Sequence, residues 1–196
     1  MIPIIIGSIG FFFYFIYDIN SISKNYSSLQ KGFLIGTIFV AAASIGMLVS
    51  GWKMIDWESL LTYILLLGGI VLFAMLIYTL FFALPFEATY VEKNQERLAY
   101  TEGVYAICRH PGVLWYAGMY LCMAGMIKTR ESVVQAIVFI LWNVAYIILQ
   151  DCFIFPRTFR NYKEYKKMTP FLFPNRKSIK RCWKTRKLGK KGELRK

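Results

Sequence analysis

Five apolar runs dominate this chain and restrict its fold more than any other feature. They cover residues 2–17, 33–52, 60–84, 113–127 and 133–155. Runs of this kind approach the thickness of a bilayer, and a backbone in lipid must satisfy its own hydrogen bonds, which favours helices. Because 57% of the residues are hydrophobic and the mean hydropathy is +0.44, the sequence predicts an all-α polytopic membrane protein with about five transmembrane helices.

The basic residues are concentrated near the carboxyl terminus. Of the 24 Lys and Arg residues, about two thirds follow Phe155, where Glu164 and Glu193 are the only acidic residues. Basic segments beside membrane spans mark the cytoplasmic side and attract anionic lipid. We therefore expect a membrane domain over residues 1–175 and a basic cytoplasmic tail over residues 176–196 that meets anionic lipid and not nucleic acid.

A cytoplasmic tail assigns a side of the membrane to every polar segment. With five spans, the amino terminus lies outside, while the 18–32 loop, the 86–109 connection and the tail face the cytoplasm. Lys128 and Arg130 then fall outside, which is a mild exception to the positive-inside rule. Because long connections often carry function, we expect the chemistry at the cytoplasmic helix ends.

The cysteines and the histidine limit metal chemistry. The four cysteines show neither a disulfide framework nor zinc-ligand spacing. His110 is the only histidine, so metal motifs that need two histidines cannot be built from this chain. The sequence predicts no metal site.

The most informative segment is GVYAICRHPG, residues 103–112, where the polar connection meets the fourth apolar run. Pro111 suits the first turn of a helix, because the N–H groups of that turn lack partners inside the helix. Those N–H groups, the helix dipole and Arg109 together favour an anionic group of a ligand. The alternative is that Arg109 and His110 only anchor a helix end at the membrane surface.

A second pattern follows the last apolar run. Asp151 lies near the end of that run, and behind it come Tyr162, Tyr165, Pro170 and Pro174. Together with G-x-Y-x-x-x-R-H-P at residues 103–111, this arrangement over residues 85–175 resembles the isoprenylcysteine carboxyl methyltransferase and phospholipid methyltransferase superfamily. That family usually carries two consecutive glutamates where this chain has Gln150 and Asp151.

The resemblance implies an enzyme that transfers a methyl group from S-adenosylmethionine to a small lipophilic or lipid substrate. It implies Arg109, His110 and Asp151 as catalytic residues. It also implies a cytoplasmic cofactor pocket formed by Tyr105, Arg109, His110, Pro111, Gln150, Asp151, Tyr162 and Tyr165. The Asp151 carboxylate is expected to hold the ammonium or ribose hydroxyls of the cofactor.

Each of these roles has a simpler alternative. Asp151 at a helix end can be merely solvated, and the tyrosines can form an interfacial aromatic belt. Two other functions are also compatible with the sequence. One is a nicotinamide-dependent membrane reductase, because sterol reductases resemble the superfamily in their carboxyl-terminal helices, although no G-x-G-x-x-G fingerprint occurs here. The other is a non-enzymatic membrane protein whose basic tail binds lipid.

Overall fold

The structure, a computed structural model, describes residues 1–24, 26–83 and 97–193, and every regular element in these ranges is helical. The longer helices are α1 (Ile2–Ile22), α2 (Gly32–Gly51), α3 (Leu60–Ile77), α5 (Pro111–Ile127), α6 (Arg130–Leu149) and α9 (Arg176–Glu193). The short helices are α4 (Val104–Ile107), α7 (Phe155–Thr158) and α8 (Tyr162–Met168). The tail is therefore helical over most of its length.

Among the residues that the structure describes, four helical segments are long and apolar enough to cross a membrane. They are Ile2–Ile22, Ser27–Met54, Leu60–Phe82 and Arg130–Thr158. The fifth apolar helix, α5, has 17 residues, which lies at the lower end of the spanning range of about 17–25 residues. The predicted all-α polytopic membrane fold is confirmed, and a crossing by α5 stays a prediction.

The first helix is longer than the hydropathy pattern indicates. The sequence ends the first apolar run before Asp18, whereas α1 continues to Ile22 with Asp18 and Asn20 buried inside it. The Asn20 side chain accepts a hydrogen bond from the Tyr26 N–H at 2.8 Å and donates one to the Tyr26 carbonyl at 3.0 Å. Because these polar groups have partners, they remain in the helix instead of ending it.

Both long helices that lead towards the predicted site end in π-helical turns. Tyr78–Phe82 follows α3, and Gln150–Ile154 follows α6. In each place the sequence predicts one uninterrupted helix. It also predicts that Pro85 ends the first of these helices, but residues 84–96 lie outside the described part of the chain. Such π-helical turns are rare and are found frequently at functional sites.

The chain divides into two compact units. Unit 1 comprises Met1–Phe73 and Tyr116–Ile154, and unit 2 comprises Ala74–Trp115 and Phe155–Lys196. At the centre of unit 1 lies Phe11, which is 1% exposed. Its ring centroid lies 5.7 to 6.3 Å from those of Tyr14, Tyr116, Phe139 and Trp142. Ring packing of this kind joins α1 to α5 and α6 within the unit.

Small residues let α1 and α2 pack as a close antiparallel pair. A Cβ atom on Gly36 would lie 2.6 Å from the Gly10 carbonyl oxygen and 2.9 Å from the Tyr14 ring. In lipid, helices associate through such close backbone approach, because the hydrophobic effect does not distinguish a neighbouring helix from an acyl chain.

We expect Gly36→Ala to destabilise the protein, because the added methyl group collides with backbone and overpacking of this kind costs about 1–3 kcal/mol. Thermal unfolding in detergent micelles measures the effect. Gly68→Ala is the matched control, since its Cβ would lie 3.6 Å from the Cys122 sulfur, which is ordinary contact. Equal melting temperatures for Gly36→Ala and the control would contradict this account of the α1–α2 contact.

Candidate functional site

The R-H-P segment belongs to unit 2 and lies between α4 and the start of α5. Gly103 has a φ of +55°, a left-handed conformation that glycine adopts readily, and it starts α4. After α4 the chain extends through Cys108, and α5 begins at Pro111 as the sequence predicts. Arg109 and His110 therefore lie immediately before the apolar helix.

Arg109 connects this segment to the end of α8. Its backbone N–H donates to the Pro170 carbonyl at 2.9 Å, and its Nη1 donates to the carbonyls of Thr169 at 2.6 Å and Lys166 at 3.3 Å. Its guanidinium carbon also lies 5.6 Å from the centroid of the Phe171 ring. A cation that bonds the last carbonyls of a helix stabilises that end through both hydrogen bonds and the helix dipole.

Two of the predicted tyrosines, Tyr105 and Tyr165, join the same segment to the π-helical turn after α3 and to α8. The Tyr165 hydroxyl donates to the Tyr105 carbonyl at 2.7 Å, and the Tyr105 hydroxyl donates to the Thr79 carbonyl at 2.9 Å. Tyr162 and Tyr165 are 2% and 3% exposed. Rings of an interfacial belt contact the headgroup region at the protein surface, so that interpretation does not fit these two residues.

His110 is buried in a group of rings that we call the aromatic cluster, which consists of His110, Phe155, Tyr162, Tyr165 and Phe171. The His110 ring stacks on Phe155 with centroids 5.8 Å apart and planes inclined by 10°, and it meets Phe171 edge-on at 5.2 Å. Phe155 and Tyr165 both contact the Tyr162 ring, at 5.5 and 5.8 Å.

Phe155 and Phe171 are members of the aromatic cluster that the sequence analysis did not select. Phe155 ends an apolar run and Phe171 follows Pro170, so neither stands out among the 16 phenylalanines of the chain. Only their contacts with His110 identify them.

Two ionisable groups, Cys108 beside the aromatic cluster and Tyr165 within it, are held in their neutral forms. Burial raises the pKa of the Cys108 thiol to about 11, although a hydrogen bond with the His110 backbone and the Arg109 charge act in the opposite direction. Burial also raises the pKa of the Tyr165 hydroxyl, and Cys108 and Tyr105 add to that shift. At neutral pH neither side chain is therefore a ready nucleophile or base.

The remaining predicted residues, Gln150 and Asp151, belong to unit 1. Gln150 Nε2 donates to Asp18 Oδ2 at 2.8 Å, and Tyr146 also hydrogen-bonds this carboxylate. Asp151 is 4% exposed and lies in the same π-helical turn as Gln150. In the sequence Asp18 marks only the end of the first apolar run; its place inside α1 and its pairing with Gln150 are evident only in the structure.

The structure thus brings together six of the eight predicted cofactor residues in unit 2, namely Tyr105, Arg109, His110, Pro111, Tyr162 and Tyr165. Within the described ranges, no group of three or more His, Cys, Asp or Glu residues could hold a metal ion. The class that the fold defines is an all-α polytopic membrane protein. Comparisons of the chain with protein-family models, with curated proteins and with solved structures give no match.

We expect Arg109→Ala to loosen the end of α8, because two carbonyls lose a charged donor, and the loss should cost about 1–3 kcal/mol. Hydrogen–deuterium exchange over residues 166–171 should become faster. Arg130→Ala, which removes an exposed arginine at the start of α6, is the matched control and should leave this exchange unchanged. Unaltered protection of residues 166–171 in Arg109→Ala would show that the cap is unimportant.

The Cys108 thiol makes stability depend on pH in the alkaline range. Its pKa rises from an ordinary value of 9.0 to about 11 in the folded protein, so folding favours the protonated thiol. This contribution is complete below pH 9 and is lost as the pH rises towards 11. Wild type should lose this contribution between pH 8 and pH 11, whereas Cys108→Ser has no thiol to lose it. The difference between their melting temperatures should therefore be smaller at pH 11 than at pH 8.

Alkylation provides the independent check on Cys108. In a background without the other three cysteines, the folded chain at pH 8 should react with iodoacetamide about a hundredfold more slowly than the unfolded chain, because about two pKa units change the thiolate fraction by that factor. Equal rates would contradict a buried neutral thiol.

Proposed function

We propose that this protein transfers a methyl group from S-adenosylmethionine to a small lipophilic or lipid substrate. The main support for this proposal is that two separate sequence patterns, the R-H-P segment and the later tyrosine–proline segment, contact each other within unit 2. Residues 103–111 and 162–170 are joined by the bond from the Arg109 N–H to the Pro170 carbonyl and by the bond from the Tyr165 hydroxyl to the Tyr105 carbonyl. Direct contact between the two patterns supports reading them as one functional arrangement.

The chemistry of the aromatic cluster fits this cofactor. S-adenosylmethionine combines a sulfonium cation, an aromatic base and an amino acid end, and ring faces attract both cations and aromatic rings. Two rings of the cluster already lie near cations, since Arg109 is 5.6 Å from Phe171 and the Lys166 ammonium is 5.9 Å from Tyr162. Arg109 would orient the cofactor carboxylate, and the family resemblance assigns the ammonium or ribose hydroxyls to Asp151.

When bound, S-adenosylmethionine supplies the methyl carbon, which forms a bond to the substrate nucleophile as its bond to sulfur breaks and S-adenosylhomocysteine leaves. The chain would contribute positioning and the exclusion of water. His110, Tyr162 and Tyr165 are all buried, and the neutral Cys108 and Tyr165 support direct transfer without an enzyme-bound intermediate.

The acceptor decides whether a base is needed. A carboxylate or thiolate is already nucleophilic, whereas an amine or phenol must lose a proton, for which His110 is the candidate. The substrate would enter from the bilayer. We further propose that the tail lies in the cytoplasm, because the Lys and Arg residues that follow Phe155 match the positive-inside rule.

One observation favours the non-enzymatic alternative. Arg109 bonds the last carbonyls of α8, which gives the R-H-P segment a structural role that requires no ligand. Loss of activity in an Arg109 variant would therefore not distinguish an enzyme from a structural motif. Asp151 is the more informative position.

The experiment that tests the function is equilibrium binding of labelled S-adenosylmethionine to the purified protein in detergent. Wild type should bind saturably, and Asp151→Asn should weaken binding about tenfold or more, since losing one charge-assisted hydrogen bond corresponds to at least that factor. Asp56→Asn is the matched control, because that carboxylate is exposed in the loop before α3.

The outcomes separate the candidate functions. Absence of binding by a monodisperse wild type would overturn the methyltransferase proposal. Saturable binding of a reduced nicotinamide nucleotide in the same assay would replace it with the reductase. If Asp151→Asn and Asp56→Asn bind S-adenosylmethionine with equal affinity, the protein still binds this cofactor, but Asp151 does not contribute to the site.

A further inference from the structure

The tail helix α9 has an unusual distribution of side chains. The residues on its inner side, along i, i+3, i+4 and i+7, are Ser178, Arg181, Cys182 and Thr185. Ser178 is 1% exposed, whereas Ile179 is 43% and Trp183 is 63% exposed. A helix on the surface of a soluble protein places its large apolar residues inward. In α9 the small and polar residues face the protein, and the largest apolar residue faces away from it.

Two contacts hold α9 beside segments that enter the membrane helices. The Gly103 N–H donates to Thr185 Oγ1 at 3.2 Å, and Gly103 lies eight residues before Pro111, where α5 starts. Arg181 Nη1 donates to Thr169 Oγ1 at 3.3 Å, and Thr169 lies eleven residues after Thr158, where the last long apolar segment ends. Both contacts thus fix α9 within unit 2 to chain segments that lead to or follow apolar helices, and the ends of such helices are expected at the bilayer surface.

The outward surface of α9 combines cations with apolar groups. Arg176, Lys177, Lys180 and Lys184 are exposed around Ile179 and Trp183, and the Phe173 side chain just before the helix is 77% exposed. An anionic bilayer surface matches this mixture, because Trp and Ile enter the headgroup region while Lys and Arg meet lipid phosphates. Water alone would leave the Trp183 ring, which is 63% exposed, without an apolar neighbour.

We propose that this outward surface, formed by Phe173, Arg176, Lys177, Ile179, Lys180, Trp183 and Lys184, docks on the anionic leaflet of the membrane in which the protein resides. Trp183 inserts at headgroup depth, and the four cations bind lipid phosphates on either side of it. Because both anchoring contacts lie in unit 2, docking restrains α4 and the R-H-P segment that follows it. Docking of this surface requires no methyl transfer.

The test uses the full chain reconstituted in vesicles of phosphatidylcholine, with or without phosphatidylglycerol. Quenching by brominated lipid reports insertion of Trp183, and subtracting the signal of Trp183→Phe removes the other four tryptophans. We expect strong Trp183 quenching in anionic vesicles, weaker quenching in phosphatidylcholine alone, and loss of the difference near 1 M salt, where the Debye length falls to about 3 Å.

Matched charge variants separate docking from general attraction to the membrane. A variant that combines Lys177→Gln, Lys180→Gln and Lys184→Gln should lose most of the lipid-dependent quenching. The control variant combines Lys24→Gln, Lys31→Gln and Lys53→Gln, which removes the same charge from exposed positions of unit 1 and should leave the quenching unchanged. These are surface positions, so size-exclusion profiles should match wild type for both variants.

Three results would overturn the proposal. Equal quenching in the two lipid compositions would show that anionic lipid does not drive insertion of Trp183. Equal effects of the two triple variants would show that the lysines of α9 do not form the lipid-binding surface. Shielding of Trp183 from brominated lipid by an added oligonucleotide, in anionic vesicles at low salt, would instead assign the surface to nucleic acid.

Discussion

A bilayer offers no hydrogen-bond partners to polar groups, and the packing of unit 1 follows from that constraint. The amide of Gln135 donates to the Ala43 carbonyl at 3.0 Å, Trp142 donates to the Ser8 hydroxyl at 3.1 Å, and Gln150 donates to Asp18 at 2.8 Å. Each bond joins α6 or its π-helical turn to α1 or α2. The polar side chains inside the apolar helices therefore specify which helix faces which, while the glycines set how closely α1 and α2 approach.

The bond between Asp18 and Gln150 also affects the candidate chemistry. It fixes the π-helical turn in which Asp151 is buried, so a residue of the first helix determines where a predicted cofactor carboxylate lies within unit 1. Gln150 itself is engaged with Asp18. Its predicted contact with the cofactor would have to use the part of the amide that this bond leaves available.

In unit 2 the corresponding connection is made by Arg109. Its backbone and side chain both bond to carbonyls near the end of α8, which brings residues separated by about sixty positions into one group around His110. A motif residue with such a role can be required for folding and for ligand binding at once. For this reason the buried aromatic cluster and Asp151 carry more information about function than Arg109 does.

The sequence by itself determined the membrane class, the approximate extent of each apolar helix and the start of α5 at Pro111, because hydropathy and the missing N–H of proline act locally. It also selected the two motif regions that meet in unit 2. Only the tertiary structure decided that Asp18 stays inside α1, that Phe155 and Phe171 enclose His110, and that Trp183 faces away from the protein. These features depend on partners distant in sequence: whether a polar or aromatic side chain is buried depends on what packs against it, and local composition does not contain that information.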